Sequence, residues 1–133
     1  MKGVWAGLTV SLFLLAGCQT TPTSPPENGQ FNGKWRAVFH GTGATREPSG
    51  TFEFDQRGDS LTGRFTRPGK ASVAIEKGVI KGDSLFFRMR TNLTADAPDY
   101  LYILKGWRQK GSQNIEGTWW YTRGSGIWNA SRL

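Results

Sequence analysis

Few residue types in this sequence could carry out catalysis. Cys18 is the only cysteine and His40 the only histidine among 133 residues. A thiolate nucleophile, a histidine metal cluster or a Ser-His-Asp triad would depend on one of these two side chains. The sequence has no Gly-x-Ser-x-Gly motif and no phosphate-binding loop. Four carboxylates fall at positions that we expect to face solvent: Glu53, Asp55, Glu76 and Glu116. We therefore predict that the protein is not an enzyme and holds no metal or cofactor.

Cys18 lies where an apolar segment ends. Met1-Lys2 forms a short cationic start, and the apolar run from Gly3 to Leu14 is shorter than the ~20 residues that a membrane-spanning helix needs. Ala16-Gly17 supplies the small residues that a signal peptidase requires beside its cleavage site. The alternative is a buried N-terminal helix with a chance cysteine, but the order of the three regions favours a signal peptide.

The segment Leu15-Ala16-Gly17-Cys18 resembles the lipobox of bacterial lipoproteins. The resemblance implies cleavage before Cys18 and acylation of its thiol and amine, with palmitate among the acyl chains. One acyl chain holds a protein to a bilayer only marginally, so several would be needed for a stable anchor. Because Gln19 is not an aspartate, the resemblance also implies sorting to the outer membrane, with the protein facing the periplasm.

Three parts are expected along the chain. These are a signal peptide (residues 1–17), the lipidated cysteine with a disordered, flexible linker (18–30), and a β-barrel domain (31–133). The linker is rich in Thr, Ser and Pro, which bury little apolar area and favour an extended backbone. About ten such residues at ~3.1 Å each reach roughly 30 Å, which would space the domain from the membrane.

The charge of the chain predicts an anionic partner. Without Lys2, the chain carries 16 basic and 10 acidic side chains, a net charge of +6. A basic surface on a tethered protein favours anionic lipid, lipopolysaccharide phosphates or a polyanionic glycan. The alternative is that the charge serves solubility alone. Nucleic acid is not expected, because an envelope protein seldom meets it.

The region after Phe31 has the pattern of an all-β domain. Short segments rich in β-branched and aromatic residues are separated by Gly, Asp, Asn and Ser, which is typical of strands and tight turns. Turns this short join antiparallel neighbours, so the strands form an up-and-down meander that most simply closes into a barrel. The eight predicted strands are Gly33–His40, Gly50–Gln56, Ser60–Arg67, Ala71–Lys81, Ser84–Thr91, Tyr100–Gln109, Asn114–Thr122 and Ile127–Arg132.

Alternation along the strands assigns the inward face. The large rings expected inside are Trp35, Phe39, Phe52, Phe54, Phe65, Phe87, Trp119 and Tyr121. An eight-stranded barrel is just wide enough to be filled by such side chains or to hold one small ligand. The fourth strand changes phase between Ile75 and Ile80, which predicts a bulge at Gly78. The sixth strand is apolar on both faces, so alternation cannot assign its phase.

Gly33-Lys34-Trp35 opens the first strand, and Arg132 stands near the end of the last. This combination resembles the signature of the calycin superfamily, which includes lipocalins, fatty-acid-binding proteins and avidins. The resemblance implies that Trp35 packs under Arg132 as a plug at one end of the barrel. The ring quadrupole attracts a guanidinium, which makes this contact physically favourable. Avidins have an asparagine where this chain has Ala37, so the resemblance does not extend to biotin binding.

Two groups of residues are candidate ligand-binding sites. The meander places the loops that carry Arg46, Arg67, Lys70 and Arg123 at one rim, which predicts a basic mouth. Trp107 and Trp120 are expected to point outward, where a tryptophan can anchor a partner. The Trp35–Arg132 plug is expected at the opposite end.

The sequence thus predicts a non-catalytic, outer-membrane lipoprotein whose small calycin-like barrel binds a small, lipid-like or anionic envelope ligand. The alternative is an envelope structural or assembly protein whose solid barrel docks on a protein partner. A periplasmic protease inhibitor is a third reading, although that family usually has a disulfide, which this chain lacks. A ligand-sized void at the basic rim would favour the first function, and a filled barrel would favour the second.

Overall fold

Eight antiparallel strands form a closed barrel in the computed structural model, which describes residues 29–44, 46–93 and 99–133. Consecutive strands pair with each other, and the first pairs with the last to close the barrel. The predicted all-β meander is confirmed. The predicted signal peptide, Cys18 and the linker up to residue 28 lie outside the described residues. The strands are β1 (Gly33–His40), β2 (Ser49–Arg57), β3 (Ser60–Thr66), β4 (Val73–Lys81), β5 (Ser84–Thr91), β6 (Tyr100–Trp107), β7 (Asn114–Tyr121) and β8 (Gly124–Arg132).

Side chains alternate between the core and the outer surface, as an antiparallel sheet around one core requires. In β1, Trp35, Ala37 and Phe39 are buried and the residues between them are half-buried or exposed. Seven of the eight rings predicted inside are buried, and Tyr121 is partly buried against the core. The alternation rule therefore predicted most of the rings inside the barrel, but not Trp128 and Tyr102, which are also buried.

The predicted bulge in β4 lies at Lys77 and Gly78. The pairing register shifts there with both neighbouring strands, between Leu61 and Arg64 of β3 and between Glu76 and Val79 of β4. Lys77 adopts a left-handed backbone with φ of 56°. A Cβ on Gly78 would lie 2.1 Å from the carbonyl oxygen of Leu61, so this position excludes any larger residue.

The last strand begins earlier than predicted. We expected Ile127 as its first residue, but β8 starts at Gly124, and the β7–β8 turn consists of only Thr122 and Arg123. Glycine has low strand propensity, which is why Gly124 to Gly126 has the composition of a turn. Gly126 is nevertheless required within the strand, since a Cβ there would meet the His40 carbonyl oxygen at 2.1 Å and the Trp119 ring at 2.6 Å.

The phase of β6, which alternation could not assign, is set by a close backbone approach. Tyr102, Leu104 and Gly106 face inward. A Cβ on Gly106 would lie 2.8 Å from the Trp128 ring, so the indole occupies the space that a side chain would need. β1 and β5 have the predicted bounds, and the remaining strand ends lie within two residues of the predicted ones.

Both ends of the barrel are covered by residues outside the strands. Phe31 is fully buried before β1, and its backbone N–H donates to the Gln56 side chain at 3.1 Å. Leu93 is buried after β5, at the other end. We call the end at Gly33 and Arg132 the closed end, and the end that carries the β1–β2 and β7–β8 connections the rim.

Candidate functional site

The closed end is sealed by a tryptophan and an arginine. Trp35 is completely buried, and its indole N–H donates to the carbonyl oxygen of Phe31 at 2.9 Å. The guanidinium carbon of Arg132 lies 4.2 Å from the centroid of the Trp35 ring. Arg132 also donates to the carbonyl oxygens of Gln30, at 2.9 Å, and Asn32. These contacts join the start and the end of the domain's chain in one structural plug at the closed end.

A second arginine completes the closed end. The guanidinium carbon of Arg108 lies 6.0 Å from the Trp35 ring, and the side chain donates to the Gln30 carbonyl at 2.9 Å and to the Ser112 carbonyl at 2.6 Å. Burial lowers the pKa of Arg132, and the charge of Arg108 lowers it further. Carbonyl oxygens compensate both cations, so this end is organised for packing.

Aromatic rings occupy the axis of the barrel. Phe52 lies at the centre of this aromatic core, with ring centroids 4.6 Å from Phe65, 5.3 Å from Phe87 and 5.6 Å from Trp128. Phe39 extends the contacts on one side, 5.5 Å from Phe65. Offset and edge-to-face pairs at these distances are favourable beyond the area that they bury. The rings pack against one another across the barrel, where a ligand would have to lie.

The tryptophans of the core are held by hydrogen bonds as well as by packing. The Trp119 indole N–H donates to the carbonyl oxygens of His40 and Ile127, at 3.1 and 3.0 Å. The Trp128 indole N–H donates to those of Lys105 and Thr118, at 3.1 and 3.2 Å. Rings fixed in this way are poor candidates for a pocket that opens on binding.

The rim cations are only partly brought together. Arg46 and Arg67 line one cleft of about 600 Å³, and Arg67 and Lys70 line another of about 330 Å³. Arg67 donates to the carbonyl oxygen of Asn92, which fixes it between the two clefts. Arg123 lies instead over the Tyr100 ring, 5.8 Å from its centroid, and lines neither of these clefts.

A larger groove lies on the outer wall of β1, β2 and β3. Its volume is about 760 Å³, and it extends from the strands to the β3–β4 hairpin. Five cationic side chains and one carboxylate line it, together with hydroxyl groups. Its cations are Lys34, Arg36, Arg64, Arg67 and Lys70. We call this the β1–β3 groove.

Sequence reasoning placed Lys34, Arg36 and Arg64 on outer faces but did not join them into one site. Their convergence depends on register. Lys34 pairs with Glu53, and Glu53 pairs with Arg64, so the three form one row across the strands. Arg36 lies in the next row, opposite Thr51. The alternation pattern was the available signal, but pairing register is not visible in a single strand.

The two outward tryptophans lie in different surroundings. Trp120 is 41% exposed and pairs with Ile103 of β6, and Ile127 of β8, 56% exposed, lies diagonally beside it. Trp107 is 38% exposed, lies at the closed end and pairs with Glu116. Trp107 also has an apolar neighbour, since half-buried Phe86 of β5 lies diagonally beside it and pairs with Val79 of β4.

His40 takes part in a small polar network at the rim. Its Nδ1 lies 2.8 Å from a carboxylate oxygen of Glu47, and its Nε2 lies 2.9 Å from the Asn129 side-chain nitrogen. Among residues 29–44, 46–93 and 99–133, no three His, Cys, Asp or Glu side chains come together as metal ligands would. The network links the β1–β2 connection to β8.

No protein-family model matches the chain, and no curated protein sequence matches it either. Within the described ranges, no helix has the length and apolar character needed to cross a membrane. The candidate sites of the described residues are the plug, the aromatic core, the rim clefts, the β1–β3 groove and the Trp120 surface.

Proposed function

We propose that the protein is a bacterial lipoprotein whose solid calycin-like barrel is a non-catalytic docking module facing the periplasm from the outer membrane. The observation that carries this proposal is the aromatic core around Phe52. A barrel filled by its own rings leaves binding to the outer surface. A ligand carried inside would first have to displace several large side chains, each costly to move.

The family assignments rest on particular residues. The lipobox segment Leu15-Ala16-Gly17-Cys18 supports a lipid anchor, and Gln19 supports outer-membrane sorting. The contact between Trp35 and Arg132, in strands that begin and end as calycin strands do, supports membership of that superfamily. Acyl chains on Cys18 are then the attachment to the membrane.

The docking surface that we propose is centred on Trp120. It continues over Ile103 and Ile127, and Arg88 and Arg90 flank it on the neighbouring β5, with Arg88 paired to Ile103. Burying an exposed tryptophan recovers a large apolar area, and such residues often dominate binding. Both arginines lie 3.7 Å from one carboxylate, that of Glu76, so a net positive charge remains beside the apolar surface. Charge complementarity then predicts a protein partner with an apolar recess beside acidic side chains.

The test is site-specific photo-crosslinking in living cells. A photoreactive amino acid at position 120 is expected to capture one protein, and the same group at Trp107, which has similar exposure, is expected not to capture it. Trp120→Ala should then abolish co-purification of that protein. Binding of the purified protein to neutral vesicles through Trp120 would overturn the protein-docking proposal in favour of a membrane surface.

A separate test addresses the interior. Protein extracted from its own membrane is expected to show, by native mass spectrometry, only the mass of the chain and its acyl groups. A stoichiometric small molecule that survives removal of detergent would contradict the solid-barrel proposal.

Anionic ligand binding at the rim is a second candidate function, favoured by the clefts that Arg46, Arg67 and Lys70 line. Replacing these three residues and Arg123 by Gln is expected to reduce binding to anionic vesicles at low salt, since such contacts are screened. Equal binding by parent and variant would leave these charges a role in solubility alone.

A further inference from the structure

We propose that the β1–β3 groove binds the phosphate groups of a phosphorylated saccharide. The proposal is independent of the docking function, because the Trp120 surface lies on other strands. The proposal shares with the second candidate function, anionic ligand binding at the rim, only the expectation that the ligand is anionic. Its main cations, Lys34 and Arg36, are not among the rim cations, so the two sites can be tested separately.

The cations of the groove are unequally engaged. Arg64 donates to Glu53 at 2.9 Å, and Arg67 is held by the Asn92 carbonyl. Among the described residues, the side chains of Lys34, Arg36 and Lys70 make no hydrogen bond or ion pair. Three unpaired cations therefore face one groove.

The single carboxylate of the groove does not neutralise it. The hydrogen bond from Arg64 holds the pKa of Glu53 below its usual range, and the charges of Arg64 and Lys34 act in the same direction. Glu53 stays ionised and positions Arg64 in the row between β1 and β3. It is also an acceptor for sugar hydroxyl groups.

The spacing of the cations suits a ligand with more than one anionic group. Lys34 and Arg36 are two residues apart on β1, which corresponds to about 7 Å along a strand. Arg64 lies two strands from Lys34, which corresponds to roughly 10 Å across the sheet. A guanidinium can bind a phosphate with two parallel hydrogen bonds, so Arg36 is the expected primary contact.

The rest of the lining favours a saccharide over a bilayer surface. Hydroxyl groups of Ser49, Thr51, Thr66 and Ser72 line the groove, and the Thr66 and Ser72 hydroxyls lie 2.6 Å apart. Proteins that rest on a bilayer present large apolar side chains to it. The groove has none, and the exposed Trp120 and Ile127 lie on β7 and β8.

The experiment compares fluorescently labelled phosphorylated dextran with uncharged dextran of the same length. Binding to the full chain in detergent is measured by fluorescence anisotropy. The variant is Lys34→Gln with Arg36→Gln. The matched control is Lys81→Gln with Lys110→Gln, which also removes two positive charges, from exposed positions at the end of β4 and in the β6–β7 connection.

We expect the groove variant to weaken binding of phosphorylated dextran about fivefold or more, since each exposed contact contributes modestly. The control variant should change it less than about twofold. Equal losses in both variants, or equal binding of uncharged dextran, would overturn the proposal. Binding to phosphatidylglycerol vesicles that requires Lys34 and Arg36, in the absence of binding to phosphorylated dextran, would assign the groove to a lipid surface. That result would also refute the saccharide proposal.

A second measurement does not depend on variants. Titration of the unsubstituted protein with phosphorylated dextran should shift the backbone amide NMR signals of Lys34, Thr51 and Thr66, while those of β6 and β7 stay unchanged. Shifts confined to the loops of Arg46 and Arg123 would support the rim and contradict the groove.

Discussion

The plug at the closed end predicts a large loss of stability for Trp35→Ala. Truncation of a buried tryptophan typically costs ~3–5 kcal/mol. Trp35 is completely buried. The substitution also removes its hydrogen bond to Phe31, worth ~1 kcal/mol, and its cation–π contact with Arg132, worth ~0.5–1 kcal/mol at a partly exposed site. We therefore expect a loss near the upper end of this range, about 4–5 kcal/mol.

The assay is urea denaturation followed by far-ultraviolet circular dichroism, because tryptophan fluorescence would change with the substitution itself. Trp120→Ala removes the same side chain from a position that is 41% exposed and should cost less than about 1 kcal/mol. Trp35→Phe keeps an apolar ring but removes the indole N–H, so its expected cost is about 1–2 kcal/mol.

Two results would refute this reasoning. A loss below about 1 kcal/mol for Trp35→Ala would mean that the ring is not part of the core. A double-mutant cycle of Trp35→Leu, which removes the aromatic ring, with Arg132→Gln separates the guanidinium contact from simple burial, and strong pairs give coupling of ~0.5–3 kcal/mol. Zero coupling would remove the cation–π contact as a stabilising element.

Four further predictions follow from single positions. Gly126→Ala is expected to cost at least about 3 kcal/mol by overpacking, because its Cβ would lie 2.1 Å from a carbonyl oxygen. In the control Gly124→Ala, the Cβ would meet its nearest atom at 3.5 Å, so only a small loss of stability is expected. The midpoints of urea denaturation compare the two variants. Lys77→Gly should gain about 1 kcal/mol by relieving a positive φ, seen as a higher melting temperature. Burial raises the pKa of Tyr102, so the folded state prefers the neutral phenol. The contribution of the neutral phenol to folding stability is fully present below the unfolded pKa of about 10 and is lost as the pH rises through the folded pKa. Tyr102→Phe should therefore flatten the alkaline loss of stability. Cys18→Ser should leave a precursor without acyl chains, and an intact mass that shows cleavage would reject the lipobox.

The fold was accessible from sequence because its signals are local. A period of two, short turns and eight segments are enough to predict a closed meander. The bulge was also visible, since Ile75 and Ile80 have opposite parity. The start of β8 was not visible in the sequence. Gly126 is a strand residue, and glycine is required there because the His40 backbone and the Trp119 ring approach it closely.

The candidate sites were less accessible because they depend on contacts between strands. Single-strand patterns placed Lys34, Arg36 and Arg64 outside, but only the pairing of β1 with β2 and of β2 with β3 joins them in a groove. The arrangement of the rim cations could not be predicted either, because Arg123 packs over the Tyr100 ring. Loop residues with similar positions along a rim do not have to face the same cleft.

The pairing of β1 with β8 also has a consequence for the order of folding. All other ladders join neighbours in sequence, whereas this one joins residues as far apart as Trp35 and Arg132, 97 positions along the chain. Local hairpins form fast, and contacts that close long loops form slowly. Until Arg132 arrives, β1 remains an open sheet edge, which is a site for pairing with other chains. Because synthesis begins at the N-terminal end, β1 exists before β8 each time the chain is made, and a chaperone that shields β1 would protect this open edge until the barrel closes.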